Sequence, residues 1–409
     1  MLLAMIYLYE DLNVYNLWPL VELRPSFELY CGAQNLKDKL KIHYPNEDFS
    51  FLIRPLLKKL TQEKYPQTPV NELKSSSNYQ LFISARAILK EKLPEVNKET
   101  LFVNDKSDLI GFYLRADRLK KLPINEATIK KLKIPQIKVK AQKLNFLWEI
   151  IELNPQELKQ DFYSFRAHST QLNKSIKENL NGRLSPRTII LGSINNLYLG
   201  AEAEVEANVI LDLRPGPIII DAHAKVLGPC RIVGPAYIGP YSIIDQAYLH
   251  NGVTIGPHCI ISGEVEQSIF QGYTNKHHYG FIGHSYIGEW VNLGAGTTNS
   301  DLKNNYSEVK VKLKNKLINT NLRKVGCFIG DHTKTGIGSL IPTGCLLGIF
   351  TNHVTTDLKI KSYSNFYWSS KKRWQLSKAL NTAQVMMARR GVIMTQTYQE
   401  LIQNLYRLK

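Results

Sequence analysis

The chain has 409 residues, 44% of them hydrophobic and 21% charged, and a formal net charge of +17. That composition excludes a largely disordered protein, and the length allows two domains with separate cores. The five cysteines are scattered and form no C-x-x-C pair, which argues against a zinc site or a disulfide framework and predicts a reducing, cytoplasmic setting.

Residues 1–8 are apolar, carry no positive flank and run into Glu10 and Asp11, so they read as a first buried strand and predict no membrane insertion. Up to about residue 180, short apolar runs at 49–53, 79–83 and 109–114 alternate with polar helical stretches, as in an α/β domain. Residues 115–143 concentrate positive charge at Lys120, Lys121, Lys130, Lys131, Lys133, Lys138 and Lys140. A strong positive field attracts phosphate backbones, but none of the aromatic or glycine motifs of an RNA-binding module accompanies it. The expectation is a solvated basic face without a nucleic-acid partner, with phosphorylated small molecules or coenzyme A as the alternative. From residue 144 through Leu180 the pattern is that of a linker helix with Trp148, Ile151, Leu158 and Phe162 on one side, broken at Asn154-Pro155.

Asn181-Gly182 marks a turn, after which the period changes. Leu199, Val205 and Leu211 begin a six-residue aliphatic series that continues through Ile220, Val226, Ile232, Ile238, Ile244, Leu249, Ile255 and Ile261. It resumes at Ile282, Ile287 and Leu293, and again at Ile329, Thr335, Ile341 and Leu347. This period is neither helical nor that of a simple strand, and it predicts a parallel β-helix of hexapeptide repeats. Corners are expected at glycines such as Gly200, Gly234, Gly256, Gly283 and Gly330, where positive φ is needed. Residues 263–281 and 299–324 read as insertions projecting from a corner, a usual place for binding residues. The last forty or so residues are a basic tail with Leu376, Leu380, Ala383 and Met387 on one helical face, a break at Gly391, and Tyr398, Leu401, Ile402 and Leu405 on another helix.

The densest group of polar residues is Asn275-Lys276-His277-His278-Tyr279, followed by Asn292-Leu293-Gly294-Ala295-Gly296-Thr297. An imidazole with a pKa near 6.5 suits proton removal from an amine or hydroxyl that attacks a thioester. The small residues 294–296 would admit an extended ligand and offer N–H groups to a developing oxyanion. On spacing alone, the histidines fit equally well as loop residues that merely pack and hydrogen-bond.

Residues 276–297 resemble the acetyltransferase site of the bifunctional N-acetylglucosamine-1-phosphate uridylyltransferase/glucosamine-1-phosphate acetyltransferase family. They are still more similar to the archaeal sugar-1-phosphate nucleotidylyltransferase/acetyltransferases, as are Leu322-Arg323-Lys324-Val325-Gly326 and residues 329–336. The resemblance implies a left-handed parallel β-helix, a homotrimer, and acetyl-CoA held as donor between subunits. Matched residue by residue, His278 falls on the catalytic base and His277 on a position that is not one. Asn292 falls on a sugar-binding asparagine, and Ala295, between Gly294 and Gly296, on a residue whose backbone meets the acetyl group. Lys310 and Lys312 fall where a neighbouring subunit supplies a lysine to the sugar phosphate. His250 and Glu266 stand where the family presents Arg and Lys to that phosphate, and Phe281 replaces a sugar-binding tyrosine. A carboxylate there repels phosphate by roughly 1 kcal/mol at contact, which implies an acceptor other than glucosamine 1-phosphate.

Near the start, Leu17-Trp18-Pro19-Leu20, Arg24-Pro25, Phe27-Glu28-Leu29 and Gly32 resemble the opening of a reduced sugar nucleotidyltransferase domain. The full family has a Gly-rich loop there that holds the nucleotide phosphates, whereas no glycine precedes Gly32. Arg24 remains as the candidate phosphate contact. Asp105 reads either as a magnesium-binding aspartate or as an ordinary strand end, and Mg2+ is expected only if this domain is active. The expected whole is a reduced nucleotidyltransferase-like α/β domain over 1–180, a left-handed parallel β-helix over 181–360 and a C-terminal helical tail over 361–409. The expected function is acetyl-CoA-dependent N-acetyl transfer to an amino-sugar phosphate on the way to nucleotide sugars such as UDP-N-acetylglucosamine. The alternatives are a sugar-1-phosphate nucleotidyltransferase with the β-helix as trimer scaffold, and a non-catalytic trimeric binding protein.

Overall fold

A computed structural model describes residues 5–73, 79–115, 118–119, 124–170, 181–354, 360–368 and 372–408, with side chains of the linker helix described as far as residue 165. Residues 1–4, Lys120, Lys121 and the expected end of the linker helix at Leu180 lie outside the described residues.

The apolar runs of the first part form a mixed six-stranded sheet in the order Phe49–Leu52, Ile6–Tyr9, Tyr79–Ser84, Leu109–Arg115, Thr100–Val103 and Gln136–Lys138. Ile6–Tyr9 pairs in parallel with a later strand on each side, so the strand order reverses beside it. In open α/β sheets, ligands enter at the carboxyl ends of strands at such a point. Here those ends are closed by the protein's own charges. Arg54 Nε donates to Glu10 Oε2 at 2.9 Å and Arg86 Nη2 to Asp11 Oδ2 at 2.6 Å. Lys143 lies 3.6 Å from Asp11 and pairs with Glu126, which burial pushes up to about 7. Lys143 thus ends the basic stretch inside the domain, 2% exposed, not on a solvated face.

The linker helix spans Leu147–Thr170 and runs through Pro155, where a break was expected. Proline removes the N–H that would bond the carbonyl of Ile151. That carbonyl accepts instead from Gln267 Nε2 at 3.4 Å, a donor supplied by the solenoid. Asn154 Oδ1 accepts from the Gly32 N–H at 2.6 Å and its Nδ2 donates to Gly252 O at 3.0 Å, so the expected breaker dipeptide joins the two parts of the chain.

The hexads form a parallel β-solenoid. One face is a nine-stranded sheet in which Leu199, Ile220, Ile238, Ile255, Phe270, Ile287, Ile329, Leu347 and Tyr363 stack in register, all within a dry core. Residues 263–281 do not leave the coil as expected. Val265 and Phe270 fill core positions, and Lys276 stands in register with Ile261 at an inward one. The second interruption is real and carries a hairpin, Lys310–Leu313 with Lys316–Asn319, whose Val309, Val311 and Leu313 bury against Val14, Leu17 and Trp148.

The corners also differ from expectation. Gly234, Gly256 and Gly330 are not at positive φ; they are needed because an added Cβ would strike the adjacent coil, for Gly330 at 2.7 Å from Ile349 N. One column of left-handed positions holds rings instead: His223, Tyr241, His258, Tyr273, Trp290, His332, Phe350 and Phe366 lie at φ between 51° and 60°. They stack coil on coil, with centroids 4.2 Å apart for Tyr273 and Trp290. Ring contact along the column, worth about 0.5–1.5 kcal/mol per pair, offsets the strain of left-handed backbone. The C-terminal helices Leu376–Ala388 and Gln396–Arg407 cover the end of this column, and Leu380, Ala383, Leu401 and Ile402 share a core with Phe350, Phe366, Leu23 and Phe27.

Candidate functional site

The inward position of Lys276 builds the site. Its ammonium cannot join an aliphatic core, so it folds back and donates to Gly280 O at 2.9 Å, His278 O at 3.3 Å and Ser262 O at 2.5 Å. Burial pushes its pKa down to about 8. The loop pinned in this way presents His277, His278 and Tyr279 outward, all exposed. The two imidazoles stack at 5.6 Å, and His277 Nε2 lies 3.6 Å from Asp245 Oδ2.

The next coil carries residues 294–296 beside this loop. Gly296 N donates to Tyr279 O at 3.0 Å, and the Tyr279 hydroxyl lies 3.2 Å from where a Cβ on Gly296 would be. Gly294 N donates to Thr335 Oγ1 at 3.0 Å. Among the described residues the Ala295 N–H has no hydrogen-bond partner, so of these amides it is the one free to meet an oxyanion. Asn292 Oδ1 accepts from Asn275 Nδ2 at 3.0 Å, which leaves the Asn292 amide NH2 for a ligand.

A second polar strip lies on neighbouring rungs. His250 pairs in register with Glu266, and Glu266 with Gly283. Phe281 and the Asp301 carboxylate, the latter at 2.8 Å, flank the space a Cβ on Gly283 would take. His250 Nε2 lies 3.2 Å from Glu264. Glu266 does not face solvent alone, because Lys324 Nζ lies 3.1 Å from its Oε1 and Asn251 donates to the same oxygen at 3.0 Å. The sequence reading missed Lys324 in this role, together with His284 and Asp301, which are hydrogen-bonded at 2.7 Å. The sequence signal was a spacing of one coil from Glu266 to His284 and of another from His284 to Asp301, visible once the coil length is known; Lys324, beyond the hairpin, had none.

The remaining candidates stand apart. Lys310 and Lys312 are on the exposed face of the hairpin. Asp105 is exposed in the turn between Thr100–Val103 and Leu109–Arg115, beside an Asn104 whose Oδ1 accepts from Lys106 N. Arg24 faces no nucleotide crevice: it crosses to the solenoid, 4% exposed, with Nη1 2.9 Å from Asp331 Oδ1, Nη2 3.0 Å from Glu289 Oε2, and Nη1 also donating to Leu20 O.

Residues 6–170 match the family model described as sugar nucleotidyl transferase. The chain is 36% identical over 171 residues to the bifunctional sugar-1-phosphate nucleotidylyltransferase/acetyltransferase of Sulfurisphaera tokodaii, a match covering 39% of this chain and 40% of that protein. It is 29% identical over 184 residues to the bifunctional protein GlmU of Methanocaldococcus jannaschii, covering 40% and 41%. It is 29% identical over 164 residues to the GlmU of Prochlorococcus marinus, covering 39% and 30%. The chain therefore matches well under half the length of these curated relatives.

Proposed function

We propose that this chain, whose residues 6–170 match the sugar nucleotidyl transferase model and which is similar to GlmU-like bifunctional proteins, transfers an acetyl group from acetyl-CoA to the amine of an amino-sugar phosphate. The carrying observation is the loop pinned by Lys276, which sets His278 beside a strip whose Ala295 N–H is unbonded among the described residues. His278 takes the proton of the acceptor amine as its nitrogen attacks the thioester carbonyl. The Ala295 N–H holds the oxyanion, the carbon–sulfur bond breaks, and the CoA thiolate leaves and takes up a proton. Asn292 and, from a neighbouring subunit of a homotrimer, Lys310 or Lys312 hold the sugar. A left-handed solenoid fits this reading.

Nucleotidyl transfer is the weaker reading. Glu10 and Asp11, at the carboxyl end of the central strand, are paired with Arg54, Arg86 and Lys143, and Asp105 stands in an exposed turn. Both oxygens of Glu10 accept from Ser26 or Arg54 and both oxygens of Asp11 from Asn13 or Arg86, so this set offers a magnesium ion no open oxygen beyond those of Asp105, and no step is derived through one.

A ligand that binds the native state raises its melting temperature. Acetyl-CoA is expected to raise the Tm of the full chain, with UTP or dTTP plus magnesium leaving it unchanged. A shift with nucleotide alone would move the chemistry to the first domain.

A further inference from the structure

Glu266, His284 and Asp301 come from successive coils and each directs one ligand atom to a common point, the three atoms lying within 4.8 Å of one another. We propose that they form a binding site for a first-row divalent transition-metal cation such as zinc or cobalt, beside the transfer site and independent of the acyl-transfer reading.

Each side chain is held for this purpose. His284 is 6% exposed, Asp301 12% and Glu266 13%, so the cluster is sunk into the coil wall and is unlike an acidic surface patch. Their backbones are tied to one another and to the next coil: His284 N donates to Glu266 O at 3.0 Å, Gly326 N to His284 O at 2.9 Å and Val325 N to Asp301 O at 2.8 Å. His284 sits at a corner with φ 48°, which fixes the direction of its ring. Its Nδ1 is 2.7 Å from Asp301 Oδ2, close enough for both atoms to ligate one cation lying to the side of the pair once the shared proton is released. Its Nε2 has no hydrogen-bond partner among the described residues.

The outer contacts are those of a metal site. Asn251 and Lys324 both hold Glu266 Oε1, which orients the carboxylate while its Oε2 has no bond to another described residue. Two carboxylates stand against one ammonium at a point where the His284, Asp301 and Glu266 side chains are nearly buried, which favours a cation. One imidazole nitrogen with two carboxylate oxygens suits zinc, cobalt or manganese better than calcium or magnesium, which take oxygen ligands. Phe281 and Gly283 flank the Asp301 end of this set. A cation here would bind together three successive coils and present an electrophilic position at the edge of the acceptor strip.

The test is titration of the EDTA-dialysed full chain with Co2+ and Zn2+, following the visible d–d absorption of cobalt and the heat of zinc binding. One ion per chain is expected, with intense low-coordinate cobalt absorption that zinc abolishes. Asp301→Asn, which keeps the shape of the side chain, should weaken binding about 10–100-fold, as should His284→Gln where circular dichroism shows it folded. No cobalt spectrum and no zinc heat would overturn the proposal. So would binding that is unchanged in folded Asp301→Asn, since the ion would then sit elsewhere.

Discussion

Replacing His278 with alanine lowers the rate of acetyl transfer by about 10²–10⁴-fold, the range for loss of a positioned proton acceptor. The fold should hardly notice. His278 is exposed, and its bond to Lys276 is made by its backbone carbonyl, which alanine retains. Surface changes of this kind stay within about 0.5 kcal/mol, so an unchanged denaturation midpoint beside a lost rate separates chemistry from folding. His277→Ala is the control: its ring faces Asp245, and its removal should change turnover by no more than a few-fold. A drop in His277→Ala with normal turnover in His278→Ala would exchange the two roles.

Replacing Arg24 with alanine destabilises the whole chain by about 3–5 kcal/mol, the cost of leaving a buried charge unpaired. Arg24 joins the first domain to Asp331, which is 0% exposed, and to Glu289. Burial already pushes the Asp331 carboxyl up to about 6 with Arg24 in place. An acid raised in the folded state holds a proton that the unfolded chain has released, so its contribution falls as pH climbs from about 4, its unfolded value, through about 6. Loss of the guanidinium pushes that carboxyl higher still. The deficit of Arg24→Ala, read from urea denaturation, should therefore be larger at pH 8 than at pH 5, and Asp331→Asn in the same background should remove the difference. A deficit below about 1 kcal/mol at both pH values would place Arg24 outside the structural core.

The solenoid was legible because one inward aliphatic residue per six is a demanding pattern, and Ile220 to Ile261 hold to it with a single spacing of five, between Ile244 and Leu249. The same rule hid the site. Lys276 occupies an inward position that the aliphatic pattern rejects, so a continuous coil looked like an insertion. Spacings of five, as between Ile282 and Ile287, shorten a corner without leaving the register, and only strand pairing reveals them. Pro155 misled for a tertiary reason, since the missing helical donor is replaced from Gln267, more than a hundred residues away. Arg24 misled likewise: nothing local indicates that its partners are Glu289 and Asp331. His278, Asn292 and Ala295 could be grouped from sequence because they follow one another within about one coil, whereas Glu266, His284 and Asp301 converge only after the chain has wound around. Local order exposes residues of one loop, and a solenoid assembles its remaining clusters down a column.

The most direct measurement of the central claim follows release of free CoA thiol and formation of N-acetylated product when the full chain is mixed with acetyl-CoA and a panel of amino-sugar phosphates. Acetyl transfer to the amine is predicted without magnesium or nucleotide, and it should be absent in His278→Ala. Pyrophosphate release from a nucleoside triphosphate and a sugar 1-phosphate, with acetyl-CoA left intact across the panel, would contradict it.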